Sequence, residues 1–469
     1  MIYESLFHKT TGTVHAGLIG TGSFGSAILT QGSTVPRLCI RAVAELDLER
    51  AKTVYMDAGV AEDSIRVCAA KEDAIDAYRQ GYHVIVQDAM ILMDMPLDVI
   101  ACQTRSPEWG AFYAKAAIEA GKHIVMVDKE ADSVVGSILK HMADEKGVVY
   151  TTDDGDEPGL LMGMAGWARS MGFEILSGGN THEAIFDPVE QTISSRGKIV
   201  RLSDSQMSLM DRVTKENLRE VIEARRALTS SFFIDEECGD PYCHMAVASN
   251  GTGLMPDRRN PIHPLVYWDE LPAVLIPADM GGINDKERNA IDIPTIIRRK
   301  GDPPYGGSIF MVIRCDNAFA MEKMRRKGFI TNSDNSAGVL YRPYHLCGAE
   351  TAMSILCAGL LQIPTGSMNI LPRVDIVCMP RRDIKAGEVV GPLGDSGWNR
   401  DFHCELTPGF SLSEGSPVPF FMLEGNRFSR DIKKGELITV DMVELPENSA
   451  LWALRREQDR LFSDTIQHD

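Results

Sequence analysis

The chain has no apolar run long enough to cross a bilayer, no cysteines paired in metal or redox spacing, and a shortage of positive charge. Its most apolar stretch, residues 84–102, is broken by Asp88, Asp94 and Asp98, which excludes a membrane span there. Ten cysteines are scattered without a CxxC pair, the pattern of reduced, mostly buried thiols in a cytoplasmic protein. Cys238, Cys243 and His244 form one local cluster, and zinc there would need further ligands from elsewhere. Lys and Arg number 48 against 66 Asp and Glu, and the net charge of -18 excludes a general affinity for nucleic acid or an anionic membrane. An anionic substrate would need local cations or helix N-termini to hold it. The opening residues MIYESLFHKTTG are neither basic nor followed by an apolar stretch, so no secretory leader is expected. Low-complexity segments are absent.

What is present is a globular composition, 44% hydrophobic and 24% charged, in a chain of 469 residues. That length predicts two or three domains. Short apolar runs at 14–19, 39–44, 83–86, 98–102, 123–127 and 148–151 alternate with helical patterns such as 109–120 and 131–145. This alternation is the mark of βαβ units and a parallel sheet. From about residue 156 the pattern is less regular, with helices expected at 158–171 and 215–228 and a strand at 308–314. Pro and Gly gather at 250–264 and 301–307, as in loops beside a cleft. After Thr365-Gly366 short strands separated by Gly and Pro take over. There Arg382-Asp383-Ile384-Lys385-Ala386-Gly387-Glu388 recurs as Arg430-Asp431-Ile432-Lys433-Lys434-Gly435-Glu436. Two copies are too few for a solenoid and predict a pseudo-symmetric pair of turns in one small β domain.

The first predicted strand runs straight into Gly20-Thr21-Gly22-Ser23-Phe24-Gly25, and a helical segment follows at once. In that setting Gly20 makes the tight turn, Gly22 admits a pyrophosphate and Gly25 lets helix approach strand. Backbone N–H groups at the helix start would face the phosphates. An acid closing the second strand accepts from ribose hydroxyls, and Glu45 is placed for it. Glu45 favours NAD, whereas Arg50 nearby keeps NADP open. Gln103 and Thr104 end the fourth strand where the nicotinamide half belongs, so Thr104 either contacts its ribose or caps the strand.

Lys129, with Glu130, closes the fifth strand, where an ammonium can stabilise an alkoxide as hydride moves; the alternative is a surface lysine. Asp153-Asp154-Gly155-Asp156-Glu157-Pro158 packs four acids into five residues. Such acids either hold a divalent ion such as Mg²⁺ or Mn²⁺, with Asp154, Asp156 and Glu157 as ligands, or cap the following helix and bind substrate hydroxyls. Glu237, Asp240 and His244 are substrate candidates, the last two sharing one face if a helix begins near Asp240. Ser194-Ser195-Arg196-Gly197-Lys198 is either a phosphate loop or a solvated turn. Tyr341-Arg342-Pro343-Tyr344-His345 offers further substrate contacts in Tyr341 and Arg342. His345 is either an acid–base group or a packing residue.

These stretches together resemble the 1-deoxy-D-xylulose-5-phosphate reductoisomerase-like oxidoreductases, which are similar to homoserine dehydrogenase in their N-terminal half. The matching segments are LIGTGSFG (18–25), AAIEAGKHIVMVDKEADSVVG (116–136), GDEPGLL (155–161), TGLMPD (252–257), YRPYHLCGAET (341–351) and LRREQDRLF (454–462). The C-terminal repeat is similar to a SAF domain, a small β-clip module. The resemblance implies an α/β protein with a Rossmann doubly wound parallel sheet in 1–155, an α+β catalytic and dimerisation domain in 156–370, and a β-rich SAF-like domain in 371–469. It further implies a cytoplasmic homodimer that uses NAD or NADP on a small hydroxylated, possibly phosphorylated, substrate. Lys129-Glu130 resembles the lysine–glutamate step of reductoisomerases, and Asp154 and Asp156 fall near their metal-binding acids. One departure stands out: Glu237-Cys238-Gly239-Asp240 occupies the place of an Asp-Gly-Thr-Lys segment, so an acid replaces a lysine. A homoserine- or polyol-dehydrogenase-like enzyme without carbon rearrangement, and a dinucleotide-sensing binding protein, are the alternatives.

Overall fold

The computed structural model describes residues 3–233, 239–286, 288–305, 307–393 and 397–463. Seven short strands form the first sheet: β1 (Val14–Ile19), β2 (Leu38–Ala44), β3 (Ile65–Val67), β4 (His83–Val86), β5 (Val99–Cys102), β6 (His123–Met126) and β7 (Tyr150–Thr152). β1 and β5 are apolar and buried along almost their whole length, as strands covered by helices on both faces must be. All pairings are parallel, in the order β3-β4-β2-β1-β5-β6-β7. The chain therefore starts in the middle and winds outward both ways, which leaves a crevice beyond the ends of β1 and β5. The doubly wound sheet expected from the periodicity is present, with its boundaries shifted by one or two residues. β3 had no counterpart among the expected strands, being three residues long with two of them exposed.

β8 (Glu174–Asp187) is the spine of a second, ten-stranded mixed sheet. Thr295–Arg299 lies parallel along its second half, and Ser308–Arg314 runs antiparallel along it. The Gly178-Gly179-Asn180-Thr181-His182 centre of β8 masks its strand character, because Gly and Asn are poor strand formers. The helices Glu157–Ser170 and Asp240–Thr252 pack on this sheet and against each other.

In the C-terminal region Val374–Pro380 and Phe402–Pro408 pair antiparallel. The repeated heptads meet face to face: Ile384 and Ile432 exchange two backbone hydrogen bonds of 2.9 Å. Asp383 accepts from the Lys434 N–H and Lys433 Nζ, and Asp431 accepts from the Ala386 N–H and Lys385 Nζ. Arg382–Glu388 in one copy answers Arg430–Glu436 in the other. Each turn thus caps its twin.

The last helix, Ala450–Leu461, returns to the first sheet's helices Pro107–Glu119 and Lys129–Lys146. Glu108 receives the Ala450 N–H at 2.7 Å, and the Gln458 amide bonds Val134 O at 2.9 Å. Arg455 is fully buried, with two bonds to Asp375 at 2.6 and 2.8 Å and one to Asp459 at 2.7 Å. No helix among the described residues is long and apolar enough to cross a membrane. Removing one side of a buried ion network strands the rest, so Arg455→Ala should cost about 3–5 kcal/mol of stability in urea unfolding. An unchanged midpoint would contradict that role.

Candidate functional site

The loop between β1 and the helix Ser23–Gly32 is shaped by two glycines and left open by a third. Gly20 has φ +89°, and a Cβ there would lie 2.0 Å from the Gln103 carbonyl oxygen. A Cβ on Gly25 would lie 2.2 Å from Gly20 O. Both positions are dictated by the protein's own packing. Gly22 differs, because a Cβ there would meet only the Gln103 amide at 3.5 Å. Its smallness answers to nothing inside the chain, and it sits at the uncapped N-terminus of the helix, where phosphate oxygens fit. Ser23, Phe24, Gln103, Arg105, Lys129, Glu130 and Cys347 line the crevice beside it.

Glu45 is buried, and its two oxygens already receive four donors. Thr21 gives its N–H at 2.7 Å and its hydroxyl at 2.8 Å, Asp47 its N–H at 3.1 Å, and Arg50 its guanidinium at 2.5 Å. Burial opposes the charge, but these donors outweigh it and hold the carboxyl below its usual range. Gln103 lines the crevice and Thr104 does not. The Gln103 side chain accepts the Gly25 N–H at 2.9 Å, so it buttresses the loop. The Thr104 hydroxyl and N–H both go to Asp128 at 2.8 Å, which turns Thr104 away from the crevice. Asp128 had no place among the expected site residues. Fully buried, it also takes the Arg105 N–H at 2.8 Å, tying the ends of β5 and β6 together and setting Lys129 at the following helix start.

Lys129 Nζ lies 2.8 Å from Asp156 Oδ2. Asp156 caps the helix Glu157–Ser170, accepting the Glu157 N–H at 2.9 Å. His244, on the helix opened by Asp240, brings Nδ1 within 2.8 Å of Glu157 Oε2 and Nε2 within 3.9 Å of Asp156 Oδ2. His345 donates Nδ1–H to the Gly307 carbonyl at 2.7 Å and meets Cys347 Sγ at 2.8 Å through Nε2. Ligand-type atoms of Asp156, Glu157 and His345 lie within 4.8 Å of one another. Asp156 Oδ2 already faces Lys129 Nζ and Glu157 Oε2 faces His244 Nδ1, so a cation held here would compete with both partners.

The four clustered acids resolve their repulsion by parting. Burial pushes the Asp153 carboxyl up to about 8, with the Thr351 hydroxyl donating at 3.1 Å. Burial and the nearby Glu350 carboxylate push Asp154 up to about 6, on a side apart from the cluster. The expectation of Asp154 as a metal ligand beside Asp156 is corrected by geometry, since among the described residues the convergent ligand atoms are those of Asp156, Glu157 and His345. Burial opposes the charge on Asp156, yet Lys129 and His244 hold its carboxyl well below the usual range. Burial and Lys129 depress the His244 imidazole, and Glu157 and Asp156 more than reverse this. Burial likewise opposes the charge on His345, whose contacts with Cys347, Glu157 and Gly307 push it up to about 10.

A second cleft of about 460 Å³ opens over β8, lined by Glu157, Asn180, His182, Arg196, His244 and His345 among others. Arg196 stands in the turn between Thr192–Ser195 and Lys198–Arg201, so the proposed phosphate loop does face a cleft. Tyr341 and Arg342 do not line it. Tyr341 stacks on Trp268 at 4.6 Å, and Arg342 pairs with Glu350 at 2.6 Å. Both corrections have one cause: residues 341–342 end a strand, and only the turn after it reaches the cleft. Glu237 and Cys238 lie outside the described residues, and Cys243 belongs to the core. Asn180 and His182 were hidden because nothing in a single sequence marks which face of an unrecognised strand meets a cleft.

The middle of the chain is similar to an oxidoreductase catalytic domain. Residues 155–351 match the family described as "Oxidoreductase DRL, catalytic domain". No curated protein matches the chain. Among solved structures, a 3-ketoreductase from Actinomadura kijaniata is 16% identical, over 38% of this chain and 50% of that one, with a TM-score of 0.25. A levoglucosan dehydrogenase is 21% identical over 38% and 44%, with a TM-score of 0.24. A biliverdin reductase from Synechocystis sp. PCC 6803 is 18% identical over 38% and 48%, with a TM-score of 0.22. The chain spans about half the length of the solved structures it matches. Likenesses of this size do not carry function from one protein to another.

Two outcomes test the site's physics. Gly25→Ala should lose about 1–3 kcal/mol of stability by overpacking, while Gly22→Ala leaves thermal unfolding unchanged; equal shifts would refute the distinction. Asp132, buried and hydrogen-bonded by Tyr150 and Thr152, is pushed up to about 6 by its burial. The folded state therefore holds this proton more tightly than the unfolded chain. Its stabilising contribution is full below about pH 4 and is lost as pH rises through about 6. The stability of wild type relative to Asp132→Asn should fall by about 3 kcal/mol from pH 4 to pH 7, and parallel pH profiles would contradict the assignment.

Proposed function

We propose that the chain is an NAD(P)-dependent oxidoreductase that moves hydride to or from a small hydroxylated substrate, acting as a cytoplasmic homodimer. The observation that carries this reading is the position of Lys129. It lines the crevice beside the glycine loop and, through Asp156, touches the cluster at the second cleft. A dinucleotide held by Gly20–Gly25 supplies the hydride carrier. Lys129 then polarises the reacting oxygen, and its 2.8 Å pairing with Asp156 aims it between the two clefts. His345, its proton fixed on Nδ1 by Gly307, has Nε2 for a proton exchanged with substrate or with Cys347. Asn180 and Arg196, both lining the second cleft, would contact the substrate's far end. A divalent ion would be held by Asp156 and Glu157 and would supply Lewis acidity. Glu45 favours NAD over NADP, since a 2′-phosphate would meet its carboxylate, while Arg50, 2.5 Å from it, keeps NADP open.

The reductoisomerase-like resemblance makes 1-deoxy-D-xylulose 5-phosphate the first substrate to test. The acid at Asp240 in place of a lysine supports the second reading, a dehydrogenase that leaves the carbon skeleton intact. NADH and NADPH oxidation would be followed with this substrate and with sugar acids and polyols, with and without Mn²⁺. NADH should be preferred. Lys129→Ala should lower turnover by about 10²–10³-fold, and Gly22→Ala should weaken dinucleotide binding at least tenfold while remaining folded. Unchanged turnover in Lys129→Ala would remove the mechanism. Tight dinucleotide binding without turnover on any substrate would favour a sensing protein instead.

A further inference from the structure

We propose that Arg105 is a cofactor-binding residue, a guanidinium that clamps the dinucleotide's pyrophosphate from the crevice wall opposite the glycine loop. The inference rests on the reading of this crevice as a dinucleotide site. Its first support is the backbone. Arg105 has φ +61°, in the left-handed region that glycine adopts freely and that is strained for an arginine. The surroundings impose this conformation from both sides. Asp128 accepts the Thr104 and Arg105 N–H groups, each at 2.8 Å, and Glu424 accepts the Ser106 hydroxyl at 3.1 Å. A glycine at 105 would give the same N–H to Asp128 without the strain, so what the arginine adds is its side chain. Arg37 shows the same logic elsewhere: with φ +67°, it gives its guanidinium to the Phe7 and Gly12 carbonyls at 2.7 and 2.8 Å.

Position and charge say what that side chain meets. Arg105 is exposed and lines the crevice with Ser23 and Phe24, the first residues of the helix after the glycine loop. Gln103, two residues earlier, lines it too and accepts the Gly25 N–H at 2.9 Å, so the end of β5 and the loop form facing walls. Phosphate oxygens at the helix start meet backbone N–H groups on one side. On the other they meet a planar fork of donors that matches two phosphate oxygens at once. Among the described residues lining the crevice, Arg105 and Lys129 are the cations, and Asp128 and Glu130 are acids. Lys129 stands 2.8 Å from Asp156 Oδ2, and the chain as a whole carries a charge of -18. A dianionic pyrophosphate in that field needs a full positive charge beside the loop, and Arg105 supplies it.

The test titrates three ligands against the full-length protein: NADH, ADP-ribose and adenosine. ADP-ribose carries the pyrophosphate without the nicotinamide, and adenosine carries no phosphate. Arg105→Gly and Arg105→Asn both suit the left-handed backbone, so both should fold, and Arg105→Gly should unfold no earlier than wild type on heating. Each should bind NADH and ADP-ribose about tenfold more weakly, with a shallower salt dependence, while adenosine binds as it does to wild type. Unchanged ADP-ribose affinity in both variants overturns the assignment, and earlier unfolding alongside it makes the arginine a structural residue. An equal loss for adenosine overturns it as general damage to the fold. Weaker NADH binding with ADP-ribose unaffected also overturns it, by moving the arginine to the nicotinamide end. Wild type that binds neither NADH nor ADP-ribose removes the dinucleotide reading itself, and the clamp with it.

Discussion

The contact between Lys129 and Asp156 joins the crevice beside the glycine loop to the cluster at the second cleft. Lys129 begins the helix that follows β6, and Asp156 caps the helix that follows β7, so one 2.8 Å ion pair sets two helix starts against each other. A carboxylate buried to this degree is costly to charge unless a cation stands beside it. Asp156 meets that condition through Lys129 and His244, and Glu157 through His244. Asp153 meets it differently: burial pushes its carboxyl up to about 8, so it keeps its proton near neutral pH, while Asp154 is pushed up to about 6. The crowding of four acids is eased because burial keeps Asp153 neutral and Lys129 pairs with Asp156.

The supports behind that contact are polar, buried and remote in sequence. Asp128 gathers donors from Thr104 and Arg105 and so holds the ends of β5 and β6 in register beside Lys129. Gln103 holds the glycine loop from below, and Glu45 holds it from the side through Thr21. On the outer face of the helix that Lys129 starts, Gln458 bonds both Val134 and Ile138. The C-terminal region thus braces the helix that carries Lys129. Its paired heptads lock to each other through the Asp383 and Asp431 turns, so this brace is rigid in its own right.

Much of the first sheet was legible because its signals are local. Apolar runs of four to seven residues and a glycine loop after the first are readable one segment at a time. β3 and β8 were not. The first is too short and exposed to show a period, and the second carries Gly-Gly-Asn at its centre, where residues are chosen for the cleft. Gly20, Gly25, Lys129, Asp156, Glu157 and His345 lie at the glycine loop or in the cluster between the two clefts. Thr104, Asp154, Tyr341 and Arg342 do not. Each lies within a few residues of a group that does face a cleft, and a step along the backbone at the end of a strand or helix turns a side chain to another direction.

By itself the sequence determined the doubly wound sheet, the glycine loop, the pairing of the two C-terminal heptads and the presence of a dense acidic turn. These depend on periodicity, turn chemistry and repetition, all carried by residues close together in the chain. Only the tertiary structure decided which acids converge and what neutralises them. The partners of Asp156 and Glu157 come from residues 129, 244 and 345, brought together by helix packing on two different sheets. Charge at that site is a property of distances across the fold, and no local pattern encodes a distance between segments a hundred residues apart.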